Sequence, residues 1–572
     1  MTTTGQPTAG EQLRTEADRF WNEFLAAHPT FATVLGERRF DAHLDDVSPT
    51  GTARRIADLA DTIAATAAIP TDALTPMERV TRQMLLDEAT HETAILGTRL
   101  HEWTVDPLQG VTMNLLDLPD YQVVKTPEQG EAMVERWRDI GRHLDQHGAN
   151  LRESAADGFI AAAKPVERQL DVLDHLVATP AEEWKLAAPA AAEHPDWSAA
   201  DLRHFREGLL EAVRDSAVPG FQRYTDTLRR SILPHARPDD KPGIVHVPGG
   251  AAAYRDAIRV HTTLDLDPEA IHATGLAEIE RIDGEFVELG RKVLGTTDLP
   301  STLAALRDDP KLYFENADQV FETAKRSLAK ALDAVPAWFG RIPGAACVVV
   351  PVPSHSEVHQ TIAYYSWPAL DGSRPGRYYI NLYAPTTRPR YEAETLAFHE
   401  SVPGHHLQIA IAQELPDLPA FQRALGSTAF AEGWGLYTER LSDEMGLYTS
   451  DMDRFGILSF DAWRAGRLVV DTGMHALGWT RQQAIDFLHR HSALADNNIE
   501  NEVDRYIVWP GQALAYKIGQ LEILALRSDA RQRLGSRFDI KAFHDTVLGA
   551  GAISLPALRD RVSGWVQELA PR

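Results

Sequence analysis

One cysteine in 572 residues, Cys347, rules out intrachain disulfides and any thiolate metal cluster. It sits in a strand-like apolar run, Ala345-Ala346-Cys347-Val348-Val349-Val350, where packing is its expected role. Positive charge is also scarce. Lys and Arg number 57 against 82 Asp and Glu, leaving a net charge of −25 and a pI near 5.3. That balance disfavours nucleic acid and anionic membranes as partners. No apolar stretch approaches the length of a membrane span, and Met1 to Gly10 holds no signal-peptide-like apolar core. The expected location is cytoplasmic. There is no internal repeat, heptad array or low-complexity segment.

What is present suits a large core: 44% of residues are hydrophobic and 12 are Trp. Helical periodicity dominates, with amphipathic stretches at about residues 10–27, 77–100, 130–157, 202–228 and 268–294. The strand signals cluster between residues 345 and 383, at 347–351, 362–366 and 377–382, separated by Pro, Ser, Asp and Gly turns. From residue 392 onward the pattern is helical again. The fold class expected is mainly α with a small β-sheet. A Pro/Gly/Asp-rich passage, residues 234–250, reads as a connector between an N-terminal helical lobe (1–240) and a C-terminal catalytic lobe (241–572). One continuous helical fold is the equal alternative.

The richest chemistry lies in His399-Glu400-Ser401-Val402-Pro403-Gly404-His405-His406. Imidazole and carboxylate suit a borderline-soft metal such as zinc, and a Glu directly after the first His is where zinc hydrolases keep their general base. Position 403, four residues on, is Pro rather than the second His of a regular helical motif. At about 100° per residue, His405 falls roughly 120° away from His399 on a straight helix; His406 returns to the same face about 10.5 Å further along. Neither reaches a shared metal, so the helix must deform, with Pro403 and Gly404 supplying the break. Spacing alone does not choose between His405 and His406.

A third ligand is expected from Ala431-Glu432-Gly433-Trp434, where apolar neighbours surround Glu432 and a buried carboxylate needs a cation. Glu439, followed by Arg440, reads instead as a solvated, ion-paired position. Two His and one Glu leave a coordination position for water, the catalytic pattern. Further candidates are weaker. Asp471 and His475 stand at i, i+4, suited either to orienting a histidine towards a transition state or to a plain helical pair. Tyr516 is a possible oxyanion donor, and Arg505 or Lys517 a possible anchor for a substrate carboxylate, against roles as a core aromatic and surface charges. The passage 366–381, containing Tyr379 and Asn381, reads as a hairpin beside which a peptide can lie as an added strand. His261, His355 and His359 have no helical partner at ligand spacing and are expected to be structural or superficial.

These segments resemble one family. Phe20-Trp21, His28-Pro29-Thr30, Leu35-Gly36, Asp371-Gly372-Ser373-Arg374-Pro375-Gly376, residues 399–408, Glu432-Gly433-Trp434, Asp471-Thr472-Gly473-Met474-His475 and Pro510-Gly511-Gln512-Ala513 are similar to bacterial proteins grouped as domain of unknown function 885. In appearance these are relatives of the gluzincin metallopeptidases. The resemblance implies a large helical zincin-like fold with a deep cleft and Zn²⁺ held by His399, His405 and Glu432. It also implies Glu400 as base, His406 beside the metal, and His475 and Tyr516 as transition-state donors, with Asp471 behind His475. The activity expected is amide-bond hydrolysis in short peptides, since a helical cleft excludes folded proteins. Two alternatives are a hydrolase dedicated to one small amide metabolite and a non-catalytic, metal-containing peptide-binding protein.

Overall fold

A computed structural model describes residues 7–352, 357, 361–369, 372 and 374–570. His355, His359, Asp371 and Ser373 lie outside the described residues. Among the described residues the chain is mainly helical with one three-stranded sheet. No described helix is long and apolar enough to cross a membrane.

Local signals account for the helix starts. Thr8, Thr75 and Thr126 each cap a helix, with Glu11, Glu78 and Gln129 closing a reciprocal capping box; those helices are Ala9–Ala27, Pro76–Gly97 and Pro127–Ala156. Asp267 caps Pro268–Val293 by accepting from the Glu269 and Ala270 amides, with Pro268 at the first helical position. The expected stretch at 202–228 is two α-helical segments, Ala199–Ala212 and Val218–Thr227, joined by a π turn.

The sheet comprises β1 (Cys347–Pro351), β2 (Ala363–Ser366) and β3 (Gly376–Ile380). β3 is central, antiparallel to β2 and parallel to β1. The β2–β3 pair is the expected hairpin. Cys347 is partly buried in β1 with burial pushing its thiol up to about 12, as packing requires.

Three large apolar clusters hold the molecule together. One joins Leu13, Phe20, Leu59 and Met84 near the N-terminus to Phe430, Trp434, Val547 and Val566. A second gathers Phe286, Tyr378, Tyr391, Phe455 and Val469. A third, around Trp137, Trp184 and Phe221, keeps to residues 44–232. The boundary near residue 240 thus sets off the third cluster but not the first N-terminal helices, which share a core with the C-terminal ones. The short helix Ala393–Glu400 lies on the seam: Phe398 belongs to the first cluster, Leu396 and Ala397 to the second. Its last two residues are His399 and Glu400.

Candidate metal centre

The helix carrying His399 stops at Glu400, and a second one, His405–Gln413, starts after a four-residue turn. The helix therefore breaks outright rather than kinking. Gly404 is required for close approach more than for a special φ, which is −78°. A Cβ there would stand 1.9 Å from the His399 carbonyl oxygen. The indole of Trp434 donates to the Pro403 carbonyl at 3.0 Å, tying the turn to the helix Thr428–Glu444. That helix packs against the His399 ring at Gly435, where a Cβ would meet the imidazole at 2.8 Å. Two residues earlier, Gly433 faces Gly519 of the helix Ala515–Leu534, with a would-be Cβ 2.5 Å from its Cα. These glycines set how near Glu432, His399 and Tyr516 come to one another.

The break brings His405, not His406, to His399. Their rings are 4.7 Å apart and nearly perpendicular. Glu432 Oε2 lies 3.7 Å from His399 Nε2 and 3.5 Å from His405 Nε2. The three ligand atoms all fall within 4.8 Å of one another. Ligands at about 2.0–2.1 Å around a tetrahedral ion are separated by about 3.3–3.4 Å, so this spacing fits zinc with little movement. Exposure rises from 3% at His399 to 12% at His405 and 21% at Glu432, so the group opens to solvent on the Glu432 side. Glu400 is partly exposed and makes no hydrogen bond or ion pair among the described residues.

Glu439 corrects an expectation. It is fully buried, and its Oε1 accepts a 2.8 Å hydrogen bond from His399 Nδ1–H. Such a bond fixes the tautomer that presents Nε2 to a metal. The sequence signal was there: Glu439 is seven residues from Glu432, on the same helix face. Arg440 misled the reading; it pairs with Asp461 and Glu285 instead. Burial opposes charge at His399, but Glu432 and Glu439 outweigh it and hold the imidazole at about 9. Glu432, despite its own desolvation, is held well below the usual carboxylate range by His399 and His405. Glu432 faces both imidazoles and Glu439 faces His399 alone, a donor set that a divalent cation would suit. His405 Nδ1 and Glu439 Oε2 are buried without partners.

Several predicted residues stand elsewhere. His406 turns to the sheet: Tyr365 Oη donates to its Nδ1 at 2.8 Å, and its Nε2–H donates to the Ala345 carbonyl at 3.1 Å. Both nitrogens are used, so it braces the strands rather than the metal group. His475 is likewise closed. It accepts from the Ile244 amide at 3.1 Å and donates to the Tyr506 carbonyl at 3.0 Å. Burial pushes it down to about 3, and no donor is left for a substrate. Asp471 does not orient it; the carboxylate accepts from Tyr254 Oη and the Gly511 amide. Lys517 is no carboxylate anchor. It is fully buried on Asp461 at 2.5 Å, Gln520 at 2.8 Å and Glu278 at 2.9 Å. Asn381 is enclosed too, donating to the Glu357 and Thr361 carbonyls and accepting from the Tyr383 amide, so it closes a loop. Tyr379 stacks on Tyr364 at 4.7 Å and accepts from Arg377. Arg505 pairs with Glu502 and Gln512. His261 is buried in a small cavity with Glu88 and His91.

Tyr516 does approach the group. Its helix packs at Gly519 against Gly433, next to Glu432; burial raises its phenol, and the Glu432 carboxylate adds to the rise. The residue is partly exposed.

No curated protein matches the sequence. Solved structures share the fold, among them the following two. One is the crystal structure of "the putative lipoprotein from Colwellia psychrerythraea", 25% identical, TM-score 0.92, covering 98% of this chain and 100% of that one. The other is "a putative lipoprotein of unknown function from Shewanella oneidensis", 17% identical, TM-score 0.74, covering 96% and 99%. Residues 29–562 match the family described as bacterial protein of unknown function (DUF885), and the chain belongs to that family.

Proposed function

We propose that this protein is a zinc-dependent hydrolase that cleaves amide bonds in short peptides. The observation that carries the reading is the convergence of His399, His405 and Glu432 within 4.8 Å, with the unpartnered carboxylate of Glu400 next in sequence to a ligand. A purely structural metal site has no use for that carboxylate. The donor set, two imidazoles and one carboxylate, is the one that leaves room for water and substrate.

Zinc bound by these residues would act as a Lewis acid on water and on the scissile carbonyl. Glu400 then takes the proton of the attacking water and returns it to the leaving amine. Tyr516, a neutral phenol in a largely dry position, donates a hydrogen bond to the developing oxyanion. Glu439 keeps His399 in the ligating tautomer. His475, with both nitrogens on backbone groups, has no part in these steps.

A digest of a peptide library by zinc-loaded protein tests the reading, with Glu400→Gln as control. Cleavage of many short peptides, lost in Glu400→Gln while zinc is retained, is the expected outcome. Substantial turnover by that variant would remove Glu400 from the base role. An untouched library in the presence of bound zinc would leave the single-metabolite amide hydrolase standing in place of the peptidase.

A further inference from the structure

Every residue of the helix Arg454–His475 after Arg454 itself is buried, yet two of these are arginines, Arg464 and Arg467. Arg467 is accounted for: its Nε donates to Tyr506 Oη at 2.8 Å and one terminal nitrogen to Glu502 at 3.0 Å. Arg505 shares the same glutamate. Arg464 has no such partner. It is 5% exposed, and it makes no hydrogen bond or ion pair among the described residues. Its Nε and Nη1 are enclosed and unpaired, as is Nη1 of Arg467.

The guanidinium of Arg464 is held in place by rings rather than acids. It stacks 4.1 Å from Trp463 and 4.4 Å from Phe460, and 6.0 Å from the ring of Tyr516. Arg467 lies 4.1 Å over that same Tyr516 ring. Burial works against charge at all three arginines. Tyr506 and Glu502 outweigh it at Arg467, and Glu502 does so at Arg505, whereas Arg464 is left below its usual value. Two of the three guanidinium groups, Arg467 and Arg505, thus share one carboxylate, Glu502, while Arg464 bonds to none and feels chiefly the charge of Glu439. A buried, oriented and unpaired guanidinium is costly unless an anion completes it, and its planar fork fits a carboxylate.

We propose that Arg464, supported by Arg467, receives the C-terminal carboxylate of the peptide, so that the enzyme cleaves close to the free C-terminus. Tyr516 borders this anchor, its ring 6.0 Å from the Arg464 guanidinium, and its phenol feels the charge of Glu432. The proposal rests on the hydrolase reading above and narrows its substrates to peptides ending in a free carboxylate. It also moves the anchor from Arg505 and Lys517, which their own acids occupy, to a residue with none.

The test is calorimetric binding of trialanine and trialanine amide to the zinc-loaded, full-length Glu400→Gln protein, with acetohydroxamate as a probe of the metal alone. The free acid is expected to bind roughly 10–100-fold tighter than the amide, the value of a charge-assisted hydrogen-bonded pair. Adding Arg464→Gln should abolish that ratio and leave acetohydroxamate binding unchanged; Arg464→Lys, which keeps the charge, should retain part of it. Equal binding of acid and amide, or a ratio that survives Arg464→Gln, overturns the assignment. An amidated peptide with an internal Glu that binds as tightly as trialanine also overturns it, in favour of side-chain recognition. If Arg464 serves only to position Glu439, the Lys variant will lose zinc affinity with the acid-to-amide ratio intact, which overturns it as well. Failure of acetohydroxamate to bind in a zinc-dependent way would sink the metal reading itself, and the proposal with it.

Discussion

Two regions of the C-terminal half look alike in sequence and behave differently in the fold. Around residues 399–439 and again around 471–517, histidines, carboxylates and cations are set at helical spacing into apolar runs. In the first region the polar atoms end on one another. His399, His405 and Glu432 point inward to one small space, and Glu439 steadies the set from behind. In the second they end on the backbone or on a paired charge: His475 on Ile244 and Tyr506, Asp471 on Tyr254 and Gly511, Lys517 on Asp461 and Glu278. Both patterns satisfy the demand that buried polar groups find partners. Only the first leaves coordination to spare. Residue type and spacing mark a polar cluster; where each lone pair is spent decides whether the cluster has chemistry left.

The comparison can be broken at both ends. The largest effect is expected at Glu400: Glu400→Gln should lower kcat by about 10²–10⁴-fold, the usual contribution of a positioned base, with zinc content unchanged. The second region should respond in stability instead. Lys517→Met strips the buried Asp461 of one cation, and removing one partner of such a pair costs about 3–5 kcal/mol. Urea unfolding should show that loss while zinc content per folded chain stays at the wild-type value. A drop in zinc stoichiometry in this variant would mean that the two regions are coupled.

Glu439 provides a finer test, since it touches a ligand but no metal. Glu439→Gln should weaken zinc binding by about 10–100-fold, measured by competition with a chromogenic chelator. Unchanged affinity would reduce Glu439 to packing. The smallest effect concerns pH. His475 is held neutral down to about pH 3 by burial, whereas its unfolded-state value is about 6.5. The unfolded chain therefore takes up a proton that the folded one refuses. The group's contribution to stability is complete above about pH 6.5 and declines as the pH falls, by at most about 1.4 kcal/mol per pH unit. His475→Gln should be less stable at neutral pH but show a shallower decline between pH 6.5 and 5. An identical slope in both proteins would show that His475 is already charged in the fold.

Much of this architecture is legible in the chain. Amphipathic periodicity announces the main helices, and short strand-like runs separated by turn residues announce all three strands. The helix break was legible as a necessity, because Pro403 stands where a ligand should and no straight helix joins His399 to His405. The choice of His405 was not, because it depends on Tyr365 and the Ala345 carbonyl claiming both nitrogens of His406. Those partners come from a sheet some 40–60 residues upstream. Glu439 and Lys517 were misplaced for the same reason. Each takes its partner from another helix, and a neighbouring charge in sequence says little about that. Arg464 gave no signal at all; its distinction is a missing partner, which only the assembled fold reveals.

The central claim is that His399, His405 and Glu432 hold a metal while the second polar cluster holds none. The most direct test is metal content by inductively coupled plasma mass spectrometry on wild type, His405→Ala and His475→Ala after incubation with zinc and gel filtration. About one zinc per chain in wild type and in His475→Ala, with none in His405→Ala, is the result this account predicts. Zinc retained by His405→Ala, or absent from wild type, would contradict it.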